Sequence, residues 1–198
     1  MKEEKLSSTP PSEEDCLRIL QEAGCPERVI IHCCTVKTLA MRIAELCGAD
    51  PGLVSSGALL HDLGRCRDMG MRHAVVGAEM AADMGLPEEL VEIIRRHIGA
   101  GIDPEEAQEM GLPPGDYFPR TLEEKVVAHA DNLTSDNHLV ACRVTVEKLI
   151  SRSRYRGAER IEMLHMELSE TCGTDLDLLV ASMGSQPEPE GPCRELER

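Results

Sequence analysis

The chain has 198 residues, of which 41% are hydrophobic and 29% charged, and this composition is typical of one soluble globular domain with a hydrophobic core. No apolar run approaches the roughly 20 residues that a membrane-spanning helix needs, and the N-terminus lacks the apolar stretch of a secretory signal. The formal net charge of −15 argues against a general nucleic-acid surface, which requires a basic footprint. We therefore expect a cytoplasmic protein that binds neither membranes nor nucleic acids in general.

The cysteines predict reduced, structural thiols rather than a disulfide framework. Their number is odd, the chain is not small, and no C-x-x-C spacing indicates a zinc ribbon or a redox motif. Several lie at apolar helical positions, where a thiol packs as a small hydrophobic group. The nine residues are Cys16, Cys25, Cys33, Cys34, Cys47, Cys66, Cys142, Cys172 and Cys193.

Helical periodicity dominates the sequence and strand-like alternation is nearly absent, so we predict an all-α fold. Residues 1–11 have the composition of a disordered tail, and residues 184–198, rich in proline and glutamate, that of a disordered acidic tail. Between them, residues 12–183 form one predicted domain, a bundle of about seven to nine helices. Its first helix begins after Ser12, a favourable N-terminal cap, and ends at Gly24.

Polar residues lie on the apolar faces of the next two predicted helices. The helix over residues 26–48 carries His32 on its apolar stripe, and the helix over residues 50–64 carries the adjacent pair His61 and Asp62. Burying a polar side chain costs free energy unless the side chain finds a partner. These three residues are therefore candidates for a functional site.

Two further histidines follow in helices of their own. A helix predicted over residues 73–84 begins at His73, and a helix predicted over residues 87–98 carries His97 near its end. His97 lies seven residues after Leu90, at a spacing that keeps both on one helix face. We therefore expect His97 to continue an inward-facing apolar stripe.

A long connection over residues 99–120 separates these helices from the rest of the chain. One short helix is predicted within it, over residues 103–110, and a loop rich in proline and glycine follows. Tyr117 and Phe118 lie in that loop and are two of the three aromatic residues of the chain. The connection could form a lid, in which one of these side chains covers the ring of a ligand.

Asp131 lies late in the next predicted helix, on a face that it shares with Val127. The helix is predicted to begin at Thr121, which forms a capping box with Glu124 at the third helical position. The pattern continues with three more helices, predicted over residues 139–152, 157–172 and 174–183.

The three remaining histidines are predicted to be structural. His129 precedes Asp131 by two residues, so it points to nearly the opposite side of the same helix. His138 falls in a polar turn, and His165 follows Leu164 on a late helix.

The polar residues of the apolar helix faces are suitable ligands for Fe, Mn, Zn or Mg. If the chain folds as one bundle, His32, Asp131 and the 61–62 pair could surround one ion, while His73 and His97 supply a second. Two ions with open positions for water form a hydrolytic arrangement, because they lower the pKa of bound water toward about 7. The candidate metal ligands are His32, His61, Asp62, His73, His97 and Asp131.

The order of these residues resembles that of the HD-domain metal-dependent phosphohydrolases. The stretch HDLGR over residues 61–65 is similar to the HDIG variant of the motif, with Arg65 in place of the common lysine. His73 and His97 resemble the two extra histidines of the two-metal branch, and Asp131 resembles the aspartate that closes the motif. The elements occur in the expected order, each on a predicted helix.

The resemblance covers roughly residues 26–135 and implies an all-α domain with a divalent metal cofactor. It implies two ions, Fe or Mn with Mg, Co or Zn as other choices, and hydrolysis of a phosphomonoester or phosphodiester by metal-activated hydroxide. A nucleotide substrate, such as a cyclic nucleotide or a dinucleoside polyphosphate, is expected by analogy.

The candidate catalytic residues are Asp62 and Arg65. Arg65 lies one turn beyond His61 and could pair with a substrate phosphate, because a guanidinium group matches phosphate oxygens. Arg72 and Arg96 are further candidates for substrate binding.

Several alternatives stay open at this level. His73 could contact the substrate in a site with one ion, because the spacer between the His-Asp pair and His73 is shorter than in several two-metal members. A di-iron oxygenase on the same fold would use the same ligands, and a sensor could bind a nucleotide without turnover. The sequence also leaves the oligomeric state open, a homo-oligomer included.

Overall fold

The structure, a computed structural model, describes residues 9–195 and confirms the all-α fold. Within this range the chain forms ten α-helices, close to the predicted number, and one antiparallel hairpin of two very short strands. The elements are α1 (Glu13–Glu22), α2 (Glu27–Cys47), α3 (Pro51–Leu60), α4 (His73–Asp83), α5 (Glu88–Arg96), α6 (Pro104–Glu109), α7 (Leu122–Asn132), β1 (Thr134–Ser135), β2 (His138–Leu139), α8 (Cys142–Ser151), α9 (Tyr155–Cys172) and α10 (Leu176–Met183).

Two hydrophobic clusters hold the helices together. One joins α2, α7 and α9 through residues that include Leu39, Val127 and Leu168, and the other joins α1, α3 and α5 through residues that include Leu20 and Leu60. Helix α2 contributes residues to both clusters, so it connects the two halves of the bundle. No helix among the described residues combines the length and the apolar character that crossing a membrane requires.

Helix α3 ends at Leu60, earlier than the predicted end near residue 64, and a 3₁₀ turn over Leu63–Cys66 follows. Gly64 explains the early end, because its backbone lies directly against α4. A Cβ atom at Gly64 would lie 2.0 Å from the carbonyl oxygen of His73 and 2.6 Å from the backbone nitrogen of Gly77. Only glycine allows this approach, which sets the start of α4 beside the end of α3.

The start of α7 differs from the predicted capping box. The Thr121 hydroxyl accepts a hydrogen bond from the backbone N–H of Glu124 at 3.2 Å, as expected. The Glu124 carboxylate accepts from the backbone N–H of Arg120 at 2.6 Å and pairs with Arg96, instead of returning to the backbone of Thr121. The box is therefore half formed, because the buried Glu124 carboxylate pairs with the half-buried guanidinium group of Arg96.

The segment after α10 packs against the domain, although the sequence predicts a disordered tail from residue 184. The ammonium group of Lys37 is 3% exposed and donates to the carboxylate of Glu13 and to the backbone carbonyl of Glu190. A buried charge needs such partners, so the hydrogen bond from Lys37 to Glu190 helps to hold the C-terminal segment against α2. The remaining residues of the predicted tails, 1–8 and 196–198, lie outside the described range.

Cys34 and Cys193 form a disulfide, so the prediction of reduced thiols is wrong for this pair. The two residues are 159 positions apart, and they meet only because the C-terminal segment returns to α2. Spacing along the sequence carries no signal of such a pairing. The other seven cysteines are thiols, and four of them are buried.

The connection over residues 99–120 is an ordered part of the fold. Tyr117 is buried with Val75 and Ile102 in a small hydrophobic cluster, and its hydroxyl donates to the carbonyl of Pro113 at 2.7 Å. The ring of Phe118 lies against two guanidinium groups rather than over an open cavity. The aromatic residues of this connection therefore stabilise it from within.

Substituting Gly64 by alanine tests the close approach of α3 and α4. We expect the G64A variant to lose about 1–3 kcal/mol of the free energy of unfolding, or to fail to fold, because the added Cβ collides with backbone atoms. Gly157, a helical glycine whose added Cβ would make only ordinary van der Waals contacts, provides the control, and G157A should gain up to about 1 kcal/mol. Equilibrium urea unfolding measures both, and a G64A variant as stable as the parent chain contradicts the packing described.

Removing the disulfide tests the docking of the C-terminal segment. The C193S variant should lose about 2–5 kcal/mol of the free energy of unfolding under non-reducing conditions, because the cross-link closes a long loop. Urea unfolding with and without reductant provides the control, since the parent chain and the variant should become equally stable once reduced. Equal stability without reductant would show that the cross-link contributes nothing.

Candidate metal centre

The structure brings all six predicted ligands into one cluster between α2, α3, α4, α5 and α7. Five chain segments supply them, and the approach of Gly64 to α4 places Asp62 beside His73. The positions are His32 within α2, His61 and Asp62 directly after α3, His73 at the first position of α4, His97 directly after α5, and Asp131 in the last turn of α7.

The four imidazole rings of the cluster are anchored to the backbone in the same way. In each ring Nδ1 donates to a backbone carbonyl, which can only accept, so Nε2 faces the centre of the cluster. Such anchoring of the outer ring nitrogen is the usual arrangement of metal-ligating histidines. The bonds join His32 to Asp136 at 2.6 Å, His61 to Ala58 at 2.8 Å, His73 to Gly70 at 2.6 Å, and His97 to Ile94 at 2.7 Å.

Asp62 lies between two groups of histidines. Its Oδ1 atom is 3.1 Å from Nε2 of His73 and 3.6 Å from Nε2 of His97. Its Oδ2 atom is 3.8 Å from Nε2 of His61 and accepts a hydrogen bond from Nε of Arg65 at 2.8 Å. The carboxylate can therefore offer one oxygen to each side of the cluster.

Asp131 completes the other side of the cluster. Its Oδ1 atom lies 3.0 Å from Nε2 of His32 and 3.6 Å from Nε2 of His61. The donor atoms form three overlapping sets, in each of which all atoms lie within 4.8 Å of one another. These sets are His32, His61 and Asp62; His61, His97 and Asp131; and Asp62, His73 and His97.

Two buried atoms of the cluster have no hydrogen-bond partner among the described residues: Nε2 of His61 and Oδ1 of Asp62. Both are acceptors in the state that their neighbours impose, so neither can satisfy the other. Leaving buried polar atoms unpaired is costly, and such atoms are rare in folded proteins. A cation between them resolves the mismatch, and imidazole with carboxylate suits a divalent transition metal or Mg²⁺.

Asp62 and His61 are both in the protonation state of a metal ligand at neutral pH. Burial opposes ionisation of Asp62, but His61, His73 and His97 hold the pKa of its carboxyl well below its usual range. Burial lowers the pKa of His61 to about 4, so this ring is neutral at pH 7. Metal ligands must be deprotonated in this way before they can bind.

His32 and Asp131 behave as a pair. Burial acts against the charge of each, yet their mutual hydrogen bond raises the pKa of His32 to about 9 and lowers the pKa of Asp131 to about 2. Without an ion the pair is therefore zwitterionic at neutral pH. An ion that binds there displaces the proton from His32, which makes binding dependent on pH.

A cavity of about 500 Å³ opens beside the cluster. His32 and Asp62 contribute to its lining, together with the guanidinium groups of Arg28 and Arg65. Arg28 is not among the residues that the sequence predicts for the site, although its position one turn before His32 places it on the same helix face. That four-residue spacing from a candidate ligand is the signal that could have identified it.

The other predicted substrate contacts lie elsewhere. Arg72 is exposed immediately before α4 and does not line the cavity. Arg96 pairs with Glu92 at 2.8 Å and with Glu124 at 3.0 Å, so carboxylates already satisfy its guanidinium group. The aromatic residues of the 99–120 connection do not line this cavity either. Of the three predicted arginines, the structure brings only Arg65 to the cluster.

Comparison with known sequences identifies relatives of this chain. "Uncharacterized protein MJ0778" of Methanocaldococcus jannaschii is 44% identical over 163 residues, which are 79% of this chain and 96% of that protein. The "tRNA (cytidine(56)-2'-O)-methyltransferase" of Picrophilus torridus is 44% identical over 173 residues, which are 87% of this chain and 51% of that protein. The chain thus spans about half the length of that methyltransferase.

Comparison with solved structures identifies the same architecture. The HD domain of the L. monocytogenes phosphodiesterase PgpH, solved in complex with cyclic-di-AMP, has a TM-score of 0.54. The superposition covers 85% of this chain and 95% of that domain at 15% sequence identity, so it shows a shared fold. The sequence family described as HD domain matches residues 29–136, the segment that supplies all six members of the cluster. By this match and by its fold, the chain belongs to the HD domain family.

Proposed function

We propose that this HD-domain protein is a divalent-metal-dependent phosphohydrolase that cleaves a phosphomonoester or phosphodiester bond of a nucleotide. The observation that carries the proposal is the pair of unpartnered acceptors, Nε2 of His61 and Oδ1 of Asp62, beside a cavity lined by two arginines. Buried acceptors without donors can bind a cation, and arginine side chains beside them can bind an anion such as a phosphate.

The cluster has donors enough for two ions. His32, His61 and Asp131 would hold one ion, His73 and His97 would hold the other, and Asp62 would serve both through its two oxygens. When bound, the ions would supply Lewis-acid activation of a water molecule and of the phosphoryl oxygens. Nitrogen and oxygen donors without sulfur fit Fe or Mn, with Mg, Co or Zn as other choices.

Arg65 is held in place for contact with a phosphate. Its Nε donates to Asp62 at 2.8 Å and its Nη1 donates to the carbonyl of Met69 at 3.2 Å, which orients the guanidinium plane. Nη2 remains for an oxygen of the substrate, and the positive charge stabilises the negative charge that develops on phosphorus oxygens. Arg65 thus links the ligand carboxylate to the substrate.

The cavity combines charge with apolar surface. Val29, Ile31 and Met69 line it alongside the guanidinium groups of Arg28 and Arg65. A volume of about 500 Å³ suits a ligand of nucleotide size, whose base could pack on the apolar side chains. The net charge of −15 repels long polyanions, so we favour a small substrate over a general nucleic acid.

The names of related proteins widen the range of substrates to be tested. PgpH is a phosphodiesterase whose HD domain was solved with cyclic-di-AMP, which makes cyclic nucleotides a candidate class. Dinucleoside polyphosphates are a second class of small substrate, in which the bond cleaved would be a phosphoanhydride. The P. torridus relative is named as a tRNA methyltransferase, but it is about twice as long as the matched region. We therefore include tRNA in the assay without favouring it as the substrate.

The activity is tested with the full chain, anaerobically purified and loaded in turn with Mn²⁺, Fe²⁺, Co²⁺ or Mg²⁺. We expect release of phosphate or of a mononucleotide from at least one nucleotide of a panel that contains cyclic dinucleotides, dinucleoside polyphosphates and tRNA. H61A should lower the rate by at least about 100-fold, because the cluster loses a central ligand. H138A provides the matched control, since His138 lies on β2 and its side chain bonds Gln186.

The same preparations distinguish the other possibilities. Elemental analysis of H73A should show fewer bound ions than the parent chain if His73 holds the second ion. A metal content equal to that of the parent chain would contradict a second ion and indicate a site with one ion. Saturable nucleotide binding without product under all four metals would contradict hydrolysis and indicate a sensor. Substrate-dependent oxygen uptake with Fe²⁺ would instead indicate an oxygenase.

Arginine substitutions test how the substrate is held. R28A should raise KM by about 10- to 100-fold with a smaller effect on kcat, because a charge-assisted hydrogen bond to phosphate contributes about 1.5–3 kcal/mol. R65A should also lower kcat, since Arg65 contacts the ligand Asp62. R42A provides the control, because Arg42 lies on the same helix as Arg28 and pairs with Glu45 at the surface. A KM of R28A equal to that of R42A would remove Arg28 from the site.

A further inference from the structure

A second cluster of metal-binding side chains lies on the opposite side of α7 from Asp131. It contains His129 of α7, Cys142 at the first position of α8, and His165 of α9. One ring nitrogen of each histidine and the thiol sulfur all lie within 4.8 Å of one another. None of these residues takes part in the first centre, and the sequence predicts structural roles for both histidines.

The two histidines face each other directly. Nε2 of His129 is 3.0 Å from Nδ1 of His165, and the ring centroids are 5.1 Å apart. The outer nitrogen of His165, Nε2, faces Oδ1 of Asp175 at 3.4 Å. A carboxylate on the far nitrogen is the arrangement that orients metal-ligating histidines. His165 therefore presents Nδ1 inward with a partner already behind it.

The ring of His129 provides an independent observation. This side chain is fully buried, and its Nδ1 atom has no hydrogen-bond partner among the described residues. Apart from the two unpartnered acceptors of the first centre, it is the one other buried side-chain atom in this state within the described range. Nε2 of this ring already faces His165, so the nitrogen that lacks a partner, and that would gain one by binding an ion, is Nδ1.

The third donor is also held in position. Cys142 is buried, and its backbone N–H donates to Oδ1 of Asp177 at 2.8 Å, which fixes the start of α8 against α10. Burial and the nearby carboxylates of Asp177 and Asp175 raise the pKa of the Cys142 thiol to about 11, so a bound cation would have to displace its proton. Asp175 and Asp177 lie beside His165 in a further set of donor atoms within 4.8 Å of one another.

We propose that His129, Cys142 and His165 form a structural Zn²⁺ site, with water or a neighbouring carboxylate in the fourth position. One sulfur and two imidazole nitrogens are a donor set that suits Zn²⁺ in tetrahedral geometry and that Mg²⁺ and Mn²⁺ accept poorly. The ion would join α7, α8 and α9, and thereby connect the HD-matched segment to the helices that follow residue 136. The proposal uses residues separate from the first centre and does not depend on phosphohydrolase activity.

The test uses the full chain in metal-free form, handled anaerobically, with H61A introduced to weaken the first centre. Titration with Co²⁺ should produce a thiolate-to-metal charge-transfer absorption for one ion per chain, and Zn²⁺ should displace it. No sulfur belongs to the donor sets of the first centre, and loss of this absorption in C142S would assign it to the second site. Added Zn²⁺ should also raise the thermal unfolding midpoint of the chain.

Two variants and a matched control decide the outcome. C142S and H165Q should each abolish the charge-transfer absorption or lower the Zn²⁺ affinity by at least about tenfold. C172S should bind like the parent, since Cys172 lies on the same helix as His165 but its sulfur faces the carbonyl of Ile43. His165 is partly exposed at 14%, so H165Q remains informative if C142S does not fold.

The result that overturns the proposal is Zn²⁺ binding of unchanged affinity and stoichiometry in H165Q. A Co²⁺ complex without thiolate absorption in the H61A chain overturns it equally. The phosphatase assay is a separate readout, because loss of phosphohydrolase activity leaves the Co²⁺ spectrum of this site unaffected. The two proposals can therefore fail independently.

Discussion

The candidate metal centre depends on holding four imidazole nitrogens and two carboxylates against one another in a mostly buried space. These groups are acceptors in the ligand state, and two of them find no donor among the described residues. Each such unpaired group costs about 1–3 kcal/mol, so the cluster destabilises the folded chain unless a cation is present. The two hydrophobic clusters on either side must supply the compensating free energy, and metal binding is thereby coupled to stability.

Small residues make the cluster geometrically feasible. The backbone of Gly64 touches that of α4 so closely that no side chain fits between them. This contact brings His73 at the start of α4 beside Asp62 at the end of α3, which the two chain segments could not do at the usual separation of helices. The glycine of the HDLGR motif is thus a packing residue that determines where the side chains of Asp62 and His73 lie.

Much of this arrangement could be predicted from the sequence. Helical periodicity gave the helices, and histidines on otherwise apolar stripes, such as His32 and His97, marked the cluster because a buried polar group needs a reason to be there. Motif order then indicated which helices must meet. These signals are local or depend on residue types that rarely occur on apolar faces.

The features that escaped prediction depend on three-dimensional proximity. The Cys34–Cys193 disulfide joins α2 to the C-terminal segment, whose Glu190 carbonyl also accepts a hydrogen bond from Lys37, and no spacing rule links those residues. Arg96 resembled a phosphate contact, but a buried carboxylate from α7 already pairs with it. The position of His129 on the opposite side of α7 from Asp131 follows from helix geometry. Its neighbours on that side, Cys142 of α8 and His165 of α9, depend on how the helices pack and could not be predicted from α7 alone.

Helix α7 explains why two sets of donors can coexist in one small domain. Asp131 and His129 are two residues apart, so they face opposite sides of the helix and the two clusters share no atom. The three donor sets of the first centre contain only nitrogen and oxygen, whereas the cluster around His129 contains sulfur. Because sulfur favours Zn²⁺ strongly over Mn²⁺ or Mg²⁺, separating the thiol from the first centre reduces competition by Zn²⁺ there. The order of residues along one helix can therefore direct two ions of different chemistry to different faces.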